Sequence, residues 1–346
     1  MLQAVLGCRI HTGLRNSMKF PRRRLLHLAG GAAGLAIAPR LAWAQAYPTR
    51  PITMIVPYPP GGPTDTLGRI FSERMRVSLG QPVIVENVGG AGGTIGVARV
   101  VRAAPDGYTI NFSNVASHVF SSIVYKLQYD MLDDLEPVAL LTISPLWLIA
   151  SNNVPATNVQ ELIAWLKSSG ENATWGIVGP GSPAHLCGVY FQSHTGTRLR
   201  FVPYRGAGPT MQDLVAGQID LSCLEASATR PNVLGGKIRA FALLAKSRWK
   251  AAPDVPTIDE AGVPGLYLPF WHGLWVTKGT PAGVTAKLNA AVVEALADPA
   301  VRERLTGLGV EIAPRKQQTP EGLHAFHKAE IDKWRPIIEA ANIKPE

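Results

Sequence analysis

The first structural unit of this 346-residue chain reads ITMIVPYPPGGPTD over residues 52–65. Its first five residues are apolar or β-branched, as is typical of a buried strand. The Pro- and Gly-rich segment that follows predicts a loop. Leu67, Ile70 and Phe71 then recur at the spacing of one helix face. The stretch therefore predicts a strand, a loop and a helix in direct succession.

The same order of strand, Gly/Pro/Ser loop and helix recurs in three further segments, at residues 82–101, 174–190 and 199–215. Strands that alternate with helices predict an α/β fold with largely parallel sheets. Two of the four units lie early in the chain and two lie in its middle, which favours one sheet in each of two lobes.

The segments between these units indicate how the lobes are connected. Apolar runs at residues 138–141 and 147–150 predict strands that cross to a second lobe, and Trp275–Thr277 predicts the strand that returns. Residues 282–308 and 321–341 have helical periodicity, and we expect them to pack on the first lobe.

We predict a discontinuous first lobe formed by residues 45–147 and 271–346, and a second lobe formed by residues 148–270. The length allows two domains, and 46% apolar with 17% charged residues excludes a largely disordered chain.

Residues 1–44 have the composition of an export signal. Arg22, Arg23 and Arg24 precede a weakly apolar stretch at residues 28–38, and Ala42-Trp43-Ala44 provides a cleavage site. The arginines resemble a twin-arginine signal; an ordinary secretory signal with an extra arginine is the alternative. Either signal predicts that the mature protein is periplasmic.

The net charge of +9 belongs mainly to this leader. Residues 1–44 contain seven Lys or Arg and no acidic residue, so the remaining chain has 27 basic and 25 acidic residues, a net charge of +2. Composition therefore does not support a nucleic-acid partner.

The four Gly-rich loops are the predicted chemical site. Ligands of open α/β sheets bind beyond the carboxyl ends of the strands, where loops lead into helix N-termini. Unpaired amides and the helix dipole favour an anion there, and glycine lets the backbone approach it closely. Arg205 is the one cation within these loops. We therefore expect neutral N–H groups to hold a carboxylate.

Nucleotide and metal sites have little support in the sequence. Residues 90–95 begin like a dinucleotide-binding motif, but Ile95 takes the place of its third glycine, and no P-loop occurs. His324 and His327 lie three residues apart without a third ligand type nearby, which argues against zinc. No cofactor is predicted.

Two loop residues have two interpretations each. Ser182 and His185 suggest the nucleophile and base of an exported hydrolase, but the glycines that flank a nucleophile elbow are missing. Ser182 is at least as well explained as a helix N-cap. Asp65 either caps a helix that begins at Thr66 or accepts a hydrogen bond from the ligand. His118 either lines the cleft or is structural.

An ordered set of motifs from Tyr47 to the C-terminus resembles the Bug family, the solute receptors of tripartite tricarboxylate transporters. The motifs are VPYPPGGPTD at residues 56–65, VEN at 85–87 with GAGG at 90–93, APDGYT at 104–109, and VPYRG at 202–206. The segments GQID at 217–220 and PDVPT at 253–257 also resemble family landmarks.

The resemblance implies a type II periplasmic-binding fold, in which two α/β lobes close over a carboxylated solute, and a protein that is not an enzyme. It also implies a set of ligand-binding positions in the loops. These are Tyr58, Gly61, Gly62, Asp65, Ala91, Gly92, Gly93, Ser117, Ser182, His185, Tyr204 and Arg205.

The chain departs from the family pattern in two places. Val88-Gly89 replaces a cationic residue and proline after Glu86-Asn87, which argues against a multiply charged ligand such as citrate. Glu225, at the end of a second-lobe strand, would repel a carboxylate unless it faces away or meets an amino or amide group.

We expect a monomer that captures a small carboxylate and presents it to a tripartite tricarboxylate-type transporter. The alternatives are a receptor that hands its ligand-bound form to a membrane signalling protein, and the Ser182–His185 hydrolase. Cys187 and Cys223 remain after signal cleavage, and we favour two buried thiols over a disulfide.

Overall fold

The computed structural model describes residues 47–343. The predicted signal peptide, residues 1–44, lies outside this range. The strands in chain order are β1 Ile52–Val56, β2 Val83–Asn87, β3 Thr109–Asn114, β4 Leu135–Ser151, β5 Thr174–Ile177, β6 Arg200–Pro203, β7 Leu221–Glu225, β8 Ile238–Leu243, β9 Pro269–Thr277 and β10 Glu311–Ile312.

The helices of the same range begin directly after most of these strands. They are α1 Pro63–Leu79, α2 Thr94–Val101, α3 Ser121–Val124, α4 Val159–Ser169, α5 Pro183–Thr195, α6 Ala207–Val215, α7 Ala226–Leu234, α8 Ala282–Ala297, α9 Pro299–Leu308 and α10 Pro320–Ala340. A 3-10 turn at Ala91–Gly93 precedes α2, and a π-helical turn at Ala116–Phe120 precedes α3.

The first unit forms as its sequence predicts. β1 buries its apolar residues, and α1 begins with Pro63, whose missing N–H costs nothing at the first helical position. Gly80 ends α1 with φ at 67°, a left-handed conformation that glycine adopts without strain. The other three units also form a strand, a loop and a helix each.

The prediction of largely parallel sheets is wrong for the centre of the structure. β1 pairs in parallel with β2 and β3, and β5 pairs in parallel with β6 and β7. β4 and β9 run antiparallel to their neighbours. β4 runs in the direction of β1–β3 and against β5–β7, whereas β9 runs against β1–β3, so each central strand opposes only one of the two parallel sets.

One long strand joins the two sheets. The runs at 138–141 and 147–150, predicted as separate strands, are parts of the 17-residue β4. Leu135–Pro145 of β4 pairs with β9 beside β1–β3, whereas Leu146–Ala150 pairs with β7 beside β5 and β6. The result is a type II periplasmic-binding fold of two α/β lobes with a cleft between them. The lobe limits given above remain a prediction.

The C-terminal helices pack as expected. Leu288 and Val292 of α8 and Leu305 of α9 share an apolar core with Ile52 and Phe71 of the first lobe. The predicted helical segment 282–308 is broken at Asp298, whose carboxylate accepts the amides of Ala300 and Val301 and so starts α9. None of the helices in the described range is both long and apolar enough to span a membrane.

Candidate functional site

The loops after β1 and β2 are held together by one side chain at the end of β2. Nδ2 of Asn87 donates to the Tyr58 carbonyl and to Oδ1 of Asp65, both at 3.0 Å. Gly89 lies against Pro59, so that a Cβ at Gly89 would be 3.4 Å from the Pro59 ring. The two loops therefore form one surface at the carboxyl edge of the first sheet.

The Asp65 carboxylate is used within the protein. It accepts the Gly61 amide at 2.9 Å and Nε of Arg69 at 3.0 Å, in addition to Asn87. Burial alone would raise the pKa of Asp65, but the hydrogen bonds from Arg69, Gly61 and Asn87 outweigh it and hold that pKa below its usual value. The predicted helix start at Thr66 is wrong, because α1 begins at Pro63 and Asp65 lies in its first turn.

The predicted amide donors of the first lobe fall into two groups. The amides of Gly61 and Gly93 are already bonded, to Asp65 and to the Gly90 carbonyl. Those of Gly62, Ala91 and Gly92 have no hydrogen bond to any residue from 47 to 343. These three N–H groups lie at the starts of α1 and α2, where the helix dipoles favour an anion.

Gly93 requires its lack of a side chain. Its φ is 94°, and a Cβ there would lie 2.8 Å from Cβ of Ser117. Ser121 Oγ donates to the Gly92 carbonyl at 2.9 Å from the other side of the loop. The residues that follow β3 therefore support the loop after β2 from beneath.

Tyr58 and Ser117 lie in a buried network under these loops. The Tyr58 hydroxyl donates to Oδ1 of Asn114 at 2.7 Å, and burial raises the pKa of Tyr58 to about 12. Ser117 is completely buried; its Oγ bonds Ser113 and lies 3.1 Å from Nδ1 of His118. The Ser117 hydroxyl is thus engaged within the protein.

His118 is structural. It is completely buried and stacks on Trp275 with ring centroids 3.7 Å apart. Burial, and then the neighbouring His327, hold its pKa well below the usual value, so the ring is neutral.

In the second lobe, Ser182 is the N-cap of α5. Its Oγ accepts the His185 amide at 3.3 Å, and Nδ1 of His185 accepts the Gly181 amide at 3.1 Å. The two side chains bond to backbone groups and not to each other, so they do not form a nucleophile and base. Burial lowers the pKa of His185, whose ring packs edge-on against Phe201.

Tyr204 and Arg205 differ in exposure. The Tyr204 hydroxyl donates to Oδ2 of Asp213 at 2.6 Å, and burial together with that carboxylate raises the pKa of Tyr204 to about 12. Arg205 is exposed. Among residues 47–343 it belongs to none of the ion pairs.

The two lobes meet at their loops. A Cβ at Gly181, in the loop after β5, would lie 2.9 Å from Cγ2 of Val124 at the end of α3. Val124 and Phe120 of the first lobe share an apolar core with Trp175 and Phe191 of the second. The loop after β5 and the end of α3 therefore pack against each other.

Sequence reasoning missed residues that shape the site from outside the loops. Arg69 donates to Asp65 and, at 3.3 Å, to Oδ1 of Asn87. Its spacing of four residues from Asp65 could have predicted this ion pair on one helix face. Asn114 bonds Thr64 at 2.9 Å and thereby ties β3 to α1. No three His, Cys, Asp or Glu residues in the described part of the chain gather as a metal site.

Two α/β lobes joined by crossing strands have the fold of a periplasmic solute-binding protein. A sequence profile described as "tripartite tricarboxylate transporter family receptor" matches residues 67–343. The chain therefore belongs to this receptor family, to which the Bug proteins also belong, and its relatives are receptors and not enzymes.

Solved structures of relatives have the same fold. The periplasmic binding protein BugD is 37% identical, with a TM-score of 0.79 over 87% of this chain and 100% of its own. MatC from Rhodopseudomonas palustris, with bound malate, is 37% identical, with a TM-score of 0.79 over 84% of this chain and 100% of its own. Rpa4515 of R. palustris, with adipate, is 30% identical, with a TM-score of 0.80 over 87% of this chain and 100% of its own.

Proposed function

We propose that this protein captures a small carboxylate-containing metabolite in the periplasm and delivers it to a tripartite tricarboxylate-type transporter. The main support is the set of amides at Gly62, Ala91 and Gly92, which have no hydrogen bond within residues 47–343 and lie at the starts of α1 and α2, where helix dipoles favour an anion. Such donors bind a carboxylate without a buried cation.

The charge around the cleft favours a ligand of low charge. Arg205 is exposed without a partner carboxylate, whereas Arg69 is paired with Asp65 at 3.0 Å. Val88-Gly89 adds no cation to the loop after β2. The relatives solved with malate and adipate bind dicarboxylates, and a mono- or dicarboxylate is what we propose for this chain.

The ligand-binding residues that we propose are the exposed or unbonded members of the predicted set: Gly62, Ala91, Gly92 and Arg205. Tyr58, Asp65, Ser117, Ser182 and Tyr204 support them, because their polar side-chain atoms are already bonded within the protein. We further propose a monomer that is exported by the signal in residues 1–44.

The ligand is tested with protein that has been unfolded and refolded to remove any copurifying solute. A panel of mono-, di- and tricarboxylates, amino acids and aromatic acids is then screened by thermal shift. A ligand at 100 times its dissociation constant stabilises by about 2.7 kcal/mol. A panel without any shift would contradict the proposal. Arg205→Gln should weaken a hit, while Arg198→Gln, on the exposed surface of the same lobe, should not.

Transport and sensing differ in the partner of the ligand-bound protein. Binding of the ligand-loaded protein to reconstituted transporter subunits, and uptake that depends on it, would support delivery. Binding to the periplasmic domain of a signalling protein, without any effect on uptake, would favour the sensing alternative.

A further inference from the structure

Glu225 is a buried carboxyl group at the foot of the cleft that the predicted site did not include. It is the last residue of β7, and 7% of its surface is exposed. β7 is parallel to β5 and belongs with β5 and β6 to one sheet. Its carboxyl end therefore lies at the same edge as the loops that hold Ser182 and Arg205.

The side chain lies on the face of the sheet against which α5 packs. Side chains two residues apart on a strand share a face, so Glu225 faces the same way as Cys223, which lies in hydrogen-bonding contact with Cys187 of α5. From Cys223 to Glu225 the strand advances about 7 Å. From Cys187 back to Ser182 the helix covers a similar distance, about 7.5 Å. Since α5 runs antiparallel to β7, both steps lead to the same edge.

The strand pairing places Glu225 where the chain changes sheets. Glu225 is opposite Leu146, the first residue of β4 that pairs in the second sheet. Ser144, two residues earlier, still pairs with Phe270 in the first sheet. Glu225 therefore lies between the lobes, at the base of the cleft.

Two polar atoms at this point lack partners. Oε1 of Glu225 and Oγ of Ser144 are fully buried, and neither has a hydrogen bond of full geometry with a residue from 47 to 343, although the Ser144 hydroxyl lies near the carboxyl group. Burial raises the pKa of Glu225, and the nearby hydroxyls of Ser227 and Ser144 oppose that rise only in part. A buried carboxyl oxygen without a donor costs free energy, and a ligand that supplies the donor recovers it.

We propose that Glu225 selects carboxylates that also carry a hydrogen-bond donor, a hydroxyl or an amino group, by accepting that donor at Oε1. This inference rests on the proposed function, because it assumes that a carboxylate occupies the cleft. The amides of the loops hold the carboxylate, and Glu225 distinguishes substituted acids from their unsubstituted analogues.

Matched pairs of ligands test the proposal by calorimetry on ligand-free protein. The pairs are malate and succinate, aspartate and succinate, glutamate and glutarate, and 2-aminoadipate and adipate. We expect the donor-bearing member of at least one pair to bind about tenfold more tightly, the effect of one net hydrogen bond. The hydroxyl and amino pairs show which donor Glu225 accepts.

Variants assign the preference to Glu225. Glu225→Met should abolish it, whereas Glu225→Gln keeps an acceptor oxygen and should retain a preference for a hydroxyl. Glu171→Gln, an exposed carboxyl of the same lobe, is the matched control and should behave as wild type. Equal affinities within every pair would overturn the proposal and leave carboxylate capture intact. Binding of no acid at all would overturn both.

A preference that survives in Glu225→Met would also overturn the assignment. If Glu225→Met does not fold, infrared difference spectra of the wild type decide. The carboxyl band that is missing in Glu225→Gln must shift when the donor-bearing ligand is added, and must not shift with the unsubstituted analogue. An unchanged band would contradict the proposal.

Discussion

The side-chain nitrogen Nδ2 of Asn87 lies 3.0 Å from Oδ1 of Asp65, and this hydrogen bond joins the end of β2 to the first turn of α1. A second bond from the same nitrogen reaches the Tyr58 carbonyl. One side chain therefore sets the relative position of the loops after β1 and β2.

Replacement of Asn87 should affect stability and binding together. Asn87→Ala leaves the half-buried Tyr58 carbonyl and an oxygen of Asp65 without their donor, and we expect the free energy of unfolding to fall by about 1–3 kcal/mol. Ligand affinity should fall as well, because the loops lose their common support. Urea unfolding and calorimetry measure the two effects. Asn172→Ala, at an exposed position, should change neither.

The Asp65 network predicts a pH dependence of stability. The pKa of Asp65 is lowered on folding, so its contribution is fully present above the unfolded pKa of about 3.9 and is lost as the pH falls through the folded value. The difference in unfolding free energy between wild type and Asp65→Asn should shrink as the pH falls below about 4. Urea titrations from neutral pH downward measure it.

The exposed Asp254→Asn serves as the control for that series and should differ little from wild type throughout. A difference between wild type and Asp65→Asn that stays constant down to the lowest pH would show that the Asp65 carboxylate is not stabilised by folding.

Gly93 should tolerate no side chain. Gly93→Ala imposes a left-handed φ on alanine and a 2.8 Å contact with Ser117, which should cost about 2 kcal/mol and weaken ligand binding. Gly283→Ala is the matched control, since a methyl group at this position of α8 would meet no atom of a neighbouring segment within 4 Å. Alanine there should stabilise by about 0.5–1 kcal/mol. Thermal unfolding of both variants measures these effects.

Ser182 should behave as a helix cap. Ser182→Ala removes the acceptor of the His185 amide and should lower the unfolding free energy by about 1 kcal/mol. Ser193→Ala, at an exposed position of the same helix, should have a smaller effect. Any turnover of model esters that disappeared with Ser182→Ala would contradict the structural role and restore the hydrolase alternative.

The two cysteines should be unreactive in the folded protein. Cys187 and Cys223 are free and buried, and burial followed by contact with Cys187 raises the pKa of Cys223 well above its usual value. A thiol reagent should modify neither in native buffer and both after unfolding. A protein mass lower by two hydrogens than that of the dithiol form, together with no modification after unfolding, would show a disulfide instead.

Some features could be predicted because they depend on neighbours in the sequence. The four strand–loop–helix units, the Ser182 helix start, and the apolar faces of α1 and α8 follow from periodicity and local hydrogen bonding. The family resemblance depended on the same loops, which is why fold class and family were both identified correctly.

Other features depend on contacts between distant segments. β4 is one strand because β9 and β7 supply partners along its two halves, and no local pattern could show this. The sequence offered two local interpretations of Asp65, whereas in the structure its oxygens accept hydrogen bonds from Gly61, Arg69 and Asn87. The burial of Glu225 also depends on distant segments, since β7 packs against α5 and pairs with β4.

The sequence by itself thus determined the α/β units, the receptor family and the neutral amide-rich loops, because these follow from residue types at short spacing. The tertiary structure determined which donors remain free. Hydrogen-bonding capacity is local, but its satisfaction depends on what the rest of the chain brings within about 3 Å. For this reason the amides of Gly62, Ala91 and Gly92 have no hydrogen-bond acceptor within residues 47–343, while those of Gly61 and Gly93 have one.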